Sequence, residues 1–385
     1  MPAEFQSPIP IAIVVTSFEP GGTERQMTEL IRRLDPDRFR VYVACFRRTG
    51  AWLPRVEAVA CEVAQFRLRS FKSPASVATL WDFARWLRAR NIAVVQACDL
   101  YANVFALPGA ALARVPVRIG SRRELAPPDK TRAHLAAQRL AYRTAHRVVA
   151  NSSASATRLH EDGVSAARVR VIPNGIDLSN FAVARPISRR RIVATVANLR
   201  PEKGHDVLLR AAVLVRQRVP DVRFRIIGGG PLRQSLCEMA SSLGVDDIVE
   251  FLGHREDVAS LLATSDIYAF PSRTEAFPNG LIEGMAAGLP VVSSGVGGML
   301  ELVNDRRNGL LVPPDDAGAL AESLVELMEV PTLANALAIA ARRTIEARYS
   351  FERMVAAFTD LYISELTARG YAPAPRASHL VTGVT

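Results

Sequence analysis

Two glutamates, Glu275 and Glu283, stand eight residues apart in the run Pro271-Ser272-Arg273-Thr274-Glu275-Ala276-Phe277-Pro278-Asn279-Gly280-Leu281-Ile282-Glu283-Gly284. An apolar, strand-like stretch at 266–271 precedes the pair. Pro278 suits the first turn of a helix, where its missing N–H costs nothing. The expectation is a strand-to-helix crossing with Glu275 on the loop and Glu283 on the helix. On a continuous helix the two would lie roughly 12 Å apart. That exceeds the ~5–9.5 Å of the carboxyl pair in a typical glycosidase. It matches the two ends of a sugar nucleotide, one carboxylate at the sugar and one at the ribose. Between them, the free N–H groups of the helix start would face the diphosphate.

Three other loops could meet the same ligand. The run Asn198-Leu199-Arg200-Pro201-Glu202-Lys203-Gly204-His205-Asp206 carries the only lysine of the second half; the chain has three (Lys72, Lys130, Lys203) beside 45 arginines. A lysine at a strand-to-helix loop is a compact point charge suited to a diphosphate. Gly228 and Gly230 sit in Gly228-Gly229-Gly230-Pro231, after a strand-like run, and suit close backbone approach to a nucleotide. Gly21 and Gly22 precede a helix near the N-terminus. They do not make the GxGxxG fingerprint of a nicotinamide enzyme, and alone they read first as a tight turn. Asp35-Pro36-Asp37 has the spacing of a metal-binding Asp-x-Asp, yet it falls in a helix-to-strand turn away from the ligand edge and reads as turn chemistry.

The elements that must position these residues alternate short apolar strands with amphipathic helices, twice over. Strand-like runs occur at 10–16, 40–45, 92–97, 116–119, 147–150 and 168–172. After an Arg/Pro-rich joint (184–191) they recur at 192–197, 222–228, 248–252, 266–271, 290–293 and 309–312. Near-continuous apolar strands bridged by helices indicate parallel sheets covered on both faces. The expectation is an α/β chain of two Rossmann-like, doubly wound domains, residues 1–185 and 186–350. A final helix, 351–369, would cross back toward the first domain, followed by a loose tail, 370–385.

Bulk properties narrow the classes further. The chain has 385 residues, enough for two domains. Four scattered cysteines and six histidines without HxH or HExxH spacing suggest neither a disulfide framework nor a metal site. The first residues do not read as a signal peptide, and no apolar run reaches the ~20 residues of a membrane span, so a cytoplasmic protein is expected. The net charge of +10 is uneven: residues 1–188 carry 27 basic and 15 acidic side chains, a net +12. That imbalance suits an anionic partner of the first half. No helix-turn-helix, zinc finger or aromatic RNA-binding signature accompanies it, so nucleic acid is not expected. An anionic membrane surface and a merely solvated arginine-rich face remain as readings. The stretch ATLWDFARWLRAR (78–90), with Trp81 and Trp86 among Arg85, Arg88 and Arg90, would suit peripheral docking at the inner face of the membrane, but by itself reads first as a sheet-covering helix with a solvated face.

These segments resemble the GT-B-fold glycosyltransferases of family 4, the retaining group 1 proteins. The resemblance runs through GGTERQ (21–26), VVANSSA (148–154), VIPNGID (171–177), LRPEKGHD (199–206), IIGGGPLR (226–233), FLGHREDV (251–258), FPSRTEAFPNGLIEGMAAGLPVV (270–292), GGMLELV (297–303) and NGLLVPP (308–314). Glu275 and Glu283 fall on that family's EX7E motif. The resemblance implies two domains facing each other across a cleft, a UDP- or GDP-sugar donor as substrate, no metal or other cofactor, and a glycan or lipid-linked acceptor. It implies that Glu283 accepts hydrogen bonds from the ribose, that Glu275 holds the donor sugar, and that Lys203 stabilises the departing diphosphate. Backbone groups at Phe277, Pro278, Asn279 and Gly280, with Gly21 and Gly22, would line the phosphate pocket.

Two positions depart from the family. Asn198 stands where an arginine is frequent, leaving Arg200 as the candidate second cation. Cys98 stands where a histidine is frequent, leaving Cys98 and Asp99 as acceptor-side candidates. Two other classes stay open on the sequence: a non-hydrolysing sugar-nucleotide epimerase, and a degenerate, non-catalytic GT-B binding protein.

Overall fold

Each apolar run becomes a strand, and those at the centre of each sheet are buried on both faces. The computed structural model describes residues 7–68, 70–71, 73–125, 131–181 and 191–371. The first sheet contains β1 (Ile9–Val15), β2 (Phe39–Cys45), β3 (Glu62–Gln65), β4 (Val94–Ala97), β5 (Val117–Arg122), β6 (Arg147–Ala150) and β7 (Val169–Val171). The second contains β8 (Ile192–Val196), β9 (Arg223–Ile227), β10 (Val249–Gly253), β11 (Ile267–Phe270), β12 (Val291–Ser294) and β13 (Leu310–Val312). All strand pairings are parallel. The orders are β3-β2-β1-β4-β5-β6-β7 and β10-β9-β8-β11-β12-β13. Each sheet therefore reverses direction beside its first strand, between β1 and β4 and between β8 and β11. That reversal opens a crevice beyond the carboxyl ends of the strands. Two Rossmann-like α/β domains result.

Strand β3 has no counterpart in the apolar runs. It is a four-residue edge strand in which only Val63 is buried, so pairing with β2 rather than its own hydrophobicity makes it a strand.

Helices cover both faces of each sheet. On the first sheet, the helices Gly22–Arg33 and Phe351–Thr367 enclose one core with Ile11, Ile13, Val41 and Val43. The helices Pro74–Ala89 and Leu100–Leu112 enclose the other through Phe83, Trp86 and Phe105. On the second sheet, His205–Arg218 and Ala317–Glu329 cover one face, and Asn279–Ala286 and Pro331–Arg348 the other. The final helix thus belongs to the first domain's core, with Phe351, Met354, Phe358, Tyr362 and Leu366 all buried there.

Two chain segments cross between the domains, and they hydrogen-bond to each other. Ile176 N–H donates to Tyr349 O (2.9 Å) and Phe351 N–H to Ile176 O (3.2 Å). A Cβ at Gly175 would meet the Phe351 Cα at 2.7 Å, so glycine permits the crossing. The expected joint at 184–191 (except Arg191) and the tail from 372 onward lie outside the described residues.

Among the described residues no single helix is long and apolar enough to cross a membrane. The pair Ala317–Glu329 and Pro331–Arg348 reaches that length only across a 104° bend, and its apolar residues fill the second domain's cores.

Candidate active site

The loop after β8 is held from three sides. A short 3-10 turn, Pro201–Lys203, ends at Gly204 with φ 67°, a left-handed conformation in which a Cβ would meet Pro271 O at 2.0 Å. The loops after β8 and β11 therefore touch at this glycine. Arg273 fastens them: its backbone N–H donates to Glu202 O (2.8 Å), and its guanidinium to Pro201 O (2.6 Å), Asp206 (2.8 Å) and Asp315 (2.6 Å). The hydrogen bond to Asp206 holds the Arg273 proton more firmly than in a free arginine. His205 is buried, with Nε2 3.2 Å from Asn198 O; burial lowers its pKa to about 4, so it is neutral.

That framework brings Lys203 and Glu275 together. Lys203 Nζ lies 2.5 Å from Glu275 Oε1, and the side chains are 20% and 10% exposed. The Glu275 carbonyl accepts from Gly298 N–H (2.9 Å). Eight residues on, Glu283 lies on the helix Asn279–Ala286 and is nearly buried. Pro278 occupies the position before this helix rather than its first turn, and no side chain caps it. The first bond of the helix, Ile282 N–H to Pro278 O, leaves the N–H groups of Asn279, Gly280 and Leu281 without a partner among the described residues. A lysine, a carboxylate on each side and a free helix N-terminus thus converge at the carboxyl end of the second sheet. Phe277 and Pro278 are buried beneath this turn, and Phe277 packs on Tyr349. Gly280 lies against β8, where a Cβ would meet Val196 O at 2.2 Å.

Tyr268 supports the helix from below. Its hydroxyl accepts from Val196 N–H (3.1 Å), and its ring fills the space a side chain at Gly284 would need, 2.4 Å from a Cβ there. Burial, with Glu283 nearby, raises the Tyr268 hydroxyl well above its ordinary pKa.

The first domain closes over this site. Gly21 and Gly22 open the helix Gly22–Arg33 directly opposite Asn279; a Cβ at Gly22 would meet Asn279 Nδ2 at 2.7 Å. Asn174, buried after β7, donates to Asn279 Oδ1 (2.8 Å). Arg25 forms an ion pair with Glu283. Arg123, after β5, donates to Asn174 Oδ1 (2.9 Å). Sequence reading did not single out Arg25, Arg123, Asn174 or Arg273. Arg273 lay between Pro271 and Glu275, and that proximity was the signal; the other three come from the facing domain.

The remaining expected residues fall elsewhere. Gly228 and Gly230 admit the neighbouring loop rather than open space: Cβ atoms there would meet Ala197 O at 2.0 Å and Leu199 O at 2.5 Å. Arg200 is exposed and its side chain makes no hydrogen bond among the described residues. Cys98 is corrected: it is fully buried against the helices Gly22–Arg33 and Phe351–Thr367, its Sγ is 3.7 Å from Gln96 O, and burial pushes its thiol pKa up. Asp99 is corrected as well. It caps the helix Leu100–Leu112 through Ala102 N–H (2.9 Å) and ties β4 to β1 through Thr16 N–H (3.0 Å) and Oγ1 (2.9 Å), so both oxygens serve the fold. Asp35-Pro36-Asp37 forms a turn in which Asp37 N–H donates to Asp35 Oδ1 (2.9 Å).

Two facing doubly wound domains with the second domain's carboxylate–lysine cluster in the cleft define a GT-B protein. "Glycosyltransferase Family 4" matches residues 20–180 and "Glycosyl transferases group 1" residues 179–344, one for each domain. The chain belongs to the group 1, family 4 glycosyltransferases. It is 34% identical over 265 residues to a D-inositol 3-phosphate glycosyltransferase of Salinispora arenicola, covering 62% of this chain and 58% of that one. It is 35% identical over 190 residues to a GDP-mannose-dependent alpha-(1-6)-phosphatidylinositol monomannoside mannosyltransferase of Mycolicibacterium smegmatis, covering 44% and 50%. The chain therefore spans about half of the length of these curated relatives. Anabaena Alr3699/HepE in complex with UDP-glucose has the same fold, with a TM-score of 0.81 at 24% identity, over 92% of this chain and 100% of that one.

Proposed function

We propose that the chain transfers a hexose from a UDP- or GDP-sugar to a hydroxyl of a glycolipid, lipid-linked or polysaccharide acceptor, with retention of configuration and without a metal ion. The observation that carries this reading is the cluster of Lys203, Glu275, Glu283 and the uncapped start of the helix Asn279–Ala286. In this proposal the diphosphate lies over the free N–H groups and Lys203. Fixed positive charge then stands where the bond between the anomeric carbon and the phosphate oxygen breaks and negative charge grows. Glu283 holds the ribose and Glu275 the donor sugar. The acceptor oxygen attacks on the face the diphosphate leaves, and the acceptor proton passes to the departing phosphate. Lys203 supplies the neutralisation a divalent ion would otherwise give.

The relatives bear on donor and acceptor. Those named above act, by their names, on inositol 3-phosphate and on a GDP-mannose and phosphatidylinositol mannoside pair, and HepE binds UDP-glucose. A phosphorylated polyol or its lipid is accordingly our preferred acceptor class, and a peripheral position at the inner membrane face fits it. Thermal-shift and hydrolysis screening of UDP-, GDP-, ADP- and dTDP-sugars in EDTA tests the reading. Stabilisation by one series with slow nucleotide release supports it, and NMR of the product's anomeric signal tests retention. Silence across the panel would refute it.

A further inference from the structure

Two arginines follow one another at the end of β5, and the fold treats them differently. Arg122 is fully paired: Nη1 reaches Asp162, Nε donates to Glu124 O (3.1 Å) and Nη2 to Leu125 O (3.1 Å). Arg123 uses only Nη1, on Asn174, while its Nε and Nη2 are enclosed and have no hydrogen-bond partner among the described residues. Those two nitrogens form the edge of a guanidinium that grips a phosphate or carboxylate with two parallel N–H bonds. Enclosing a charged donor without a partner is costly, and the neighbouring carboxylates do not relieve it. Asp99 is committed to Thr16 and Ala102. Glu24 folds back over Gly21, where a Cβ would meet its Oε2 at 2.2 Å.

The contacts around Arg123 say where the residue stands. Two residues on, Leu125 reaches the facing domain: a Cβ at Gly297 would meet Leu125 Cδ1 at 3.1 Å and Glu275 O at 2.2 Å. Through Asn174, Arg123 is linked to Asn279 at the start of the donor-site helix. Arg123 thus stands beside the donor-sugar end of the cleft, on the wall of the opposite domain.

We propose that Arg123 is the anion-binding residue of the acceptor pocket, and that the acceptor carries a phosphate oxyanion close to the hydroxyl that receives the sugar. The proposal rests on the transferase reading above and narrows its acceptor. A phosphomonoester on a small polyol and the phosphodiester of a lipid headgroup share this chemistry.

Calorimetric titration of inorganic phosphate into enzyme saturated with UDP or GDP tests it, with Arg123→Met alongside. Wild type binds phosphate saturably. The variant binds it roughly tenfold or more weakly while its nucleotide affinity stays within about twofold. Its melting temperature changes little, because methionine removes an enclosed charge whose Nε and Nη2 had no partner among the described residues and gives up only the Nη1 bond to Asn174. Displacement of phosphate by inositol 3-phosphate but not inositol supports the site and assigns the monoester; displacement by phosphatidylinositol vesicles supports it and assigns the diester. Unchanged phosphate binding in the variant, or a weakened nucleotide affinity in its place, would each overturn the proposal. Nucleotide turnover without phosphate binding sinks this site alone. Phosphate binding lost in the variant, with no turnover of any sugar nucleotide, sinks the transferase reading instead.

Discussion

Arg25, on the first helix of the N-terminal domain, is ion-paired across the cleft with Glu283, which is 8% exposed and on the helix Asn279–Ala286 of the opposite domain. The carboxylate assigned to the ribose is therefore occupied before nucleotide arrives. If ribose hydroxyls take its place, Arg25→Met lowers the Kd for UDP or GDP by about two- to fivefold, the size of an ion pair worth up to about 1 kcal/mol. Glu283→Gln acts in the opposite direction, raising Kd roughly tenfold through loss of a charged acceptor. Calorimetry on both variants checks the pair. Weaker binding in Arg25→Met would show that the arginine contacts the donor rather than holding its place.

The Lys203–Glu275 contact joins the two residues that the proposed mechanism puts at the reacting bond. Lys203→Ala is expected to lower kcat about 10²–10³-fold, as removal of one preorganised donor to a developing charge does, with a much smaller change in nucleotide Kd. Steady-state turnover beside a binding isotherm separates the two effects. A loss confined to Kd would make Lys203 a ground-state anchor only.

The second domain's half of this site was legible in the sequence; of the first domain's half only Gly21 and Gly22 were. Glu275, Lys203, Glu283 and the helix start lie on loops that follow apolar strands, so topology alone sends them to one edge of one sheet. Arg25 and Asn174 meet Glu283 and Asn279 only because the domains dock, and pairs 258 and 105 residues apart leave no local pattern. The misplacement of Cys98 has a similar origin. The loop after β4 does end at the cleft, but the thiol turns into a core completed by the helix Phe351–Thr367, which arrives from the far end of the chain. The glycines at 228 and 230 were right in position yet serve the loop at 197–199, a contact between segments that strand periodicity does not report.

Acid should loosen the Lys203 loop through His205. Burial lowers its pKa to about 4 from an ordinary value near 6.5, with Lys203 adding repulsion and Asp206 opposing it. Between those values the unfolded chain binds the proton and the folded one does not, so stability falls as pH drops below about 6.5 and levels off near 4. The full loss is on the order of 3 kcal/mol. His205→Gln, whose amide can still donate to Asn198 O, should flatten part of the melting-temperature decline across that window. His146, lowered by burial to about 4 as well, supplies a remaining slope. Identical pH profiles for wild type and His205→Gln would remove His205 from the account.

Membrane attachment, where it occurs, should use the helical face of the N-terminal domain remote from the final helix. Trp86 is buried beneath that face, whereas Trp81 (51%), Val77 (58%) and Leu140 (62%) are exposed on the helices Pro74–Ala89 and Arg132–Tyr142, both of which pack on Leu100–Leu112. These apolar tips stand on the domain whose sequence carries the basic excess, the combination that holds a protein at an anionic interface. Arg85 is paired with Asp82 and Arg88 donates to Leu112 O, so this helix contributes less free charge than its sequence promises. Co-sedimentation with phosphatidylglycerol vesicles is therefore expected at low salt and to weaken at high salt as screening grows. The double variant Val77→Ser/Trp81→Ser should bind more weakly at both ionic strengths, because it removes the inserted apolar area and leaves the charge in place. Equal binding by wild type and variant would move the contact to another surface, and no binding at low salt would refute peripheral attachment altogether.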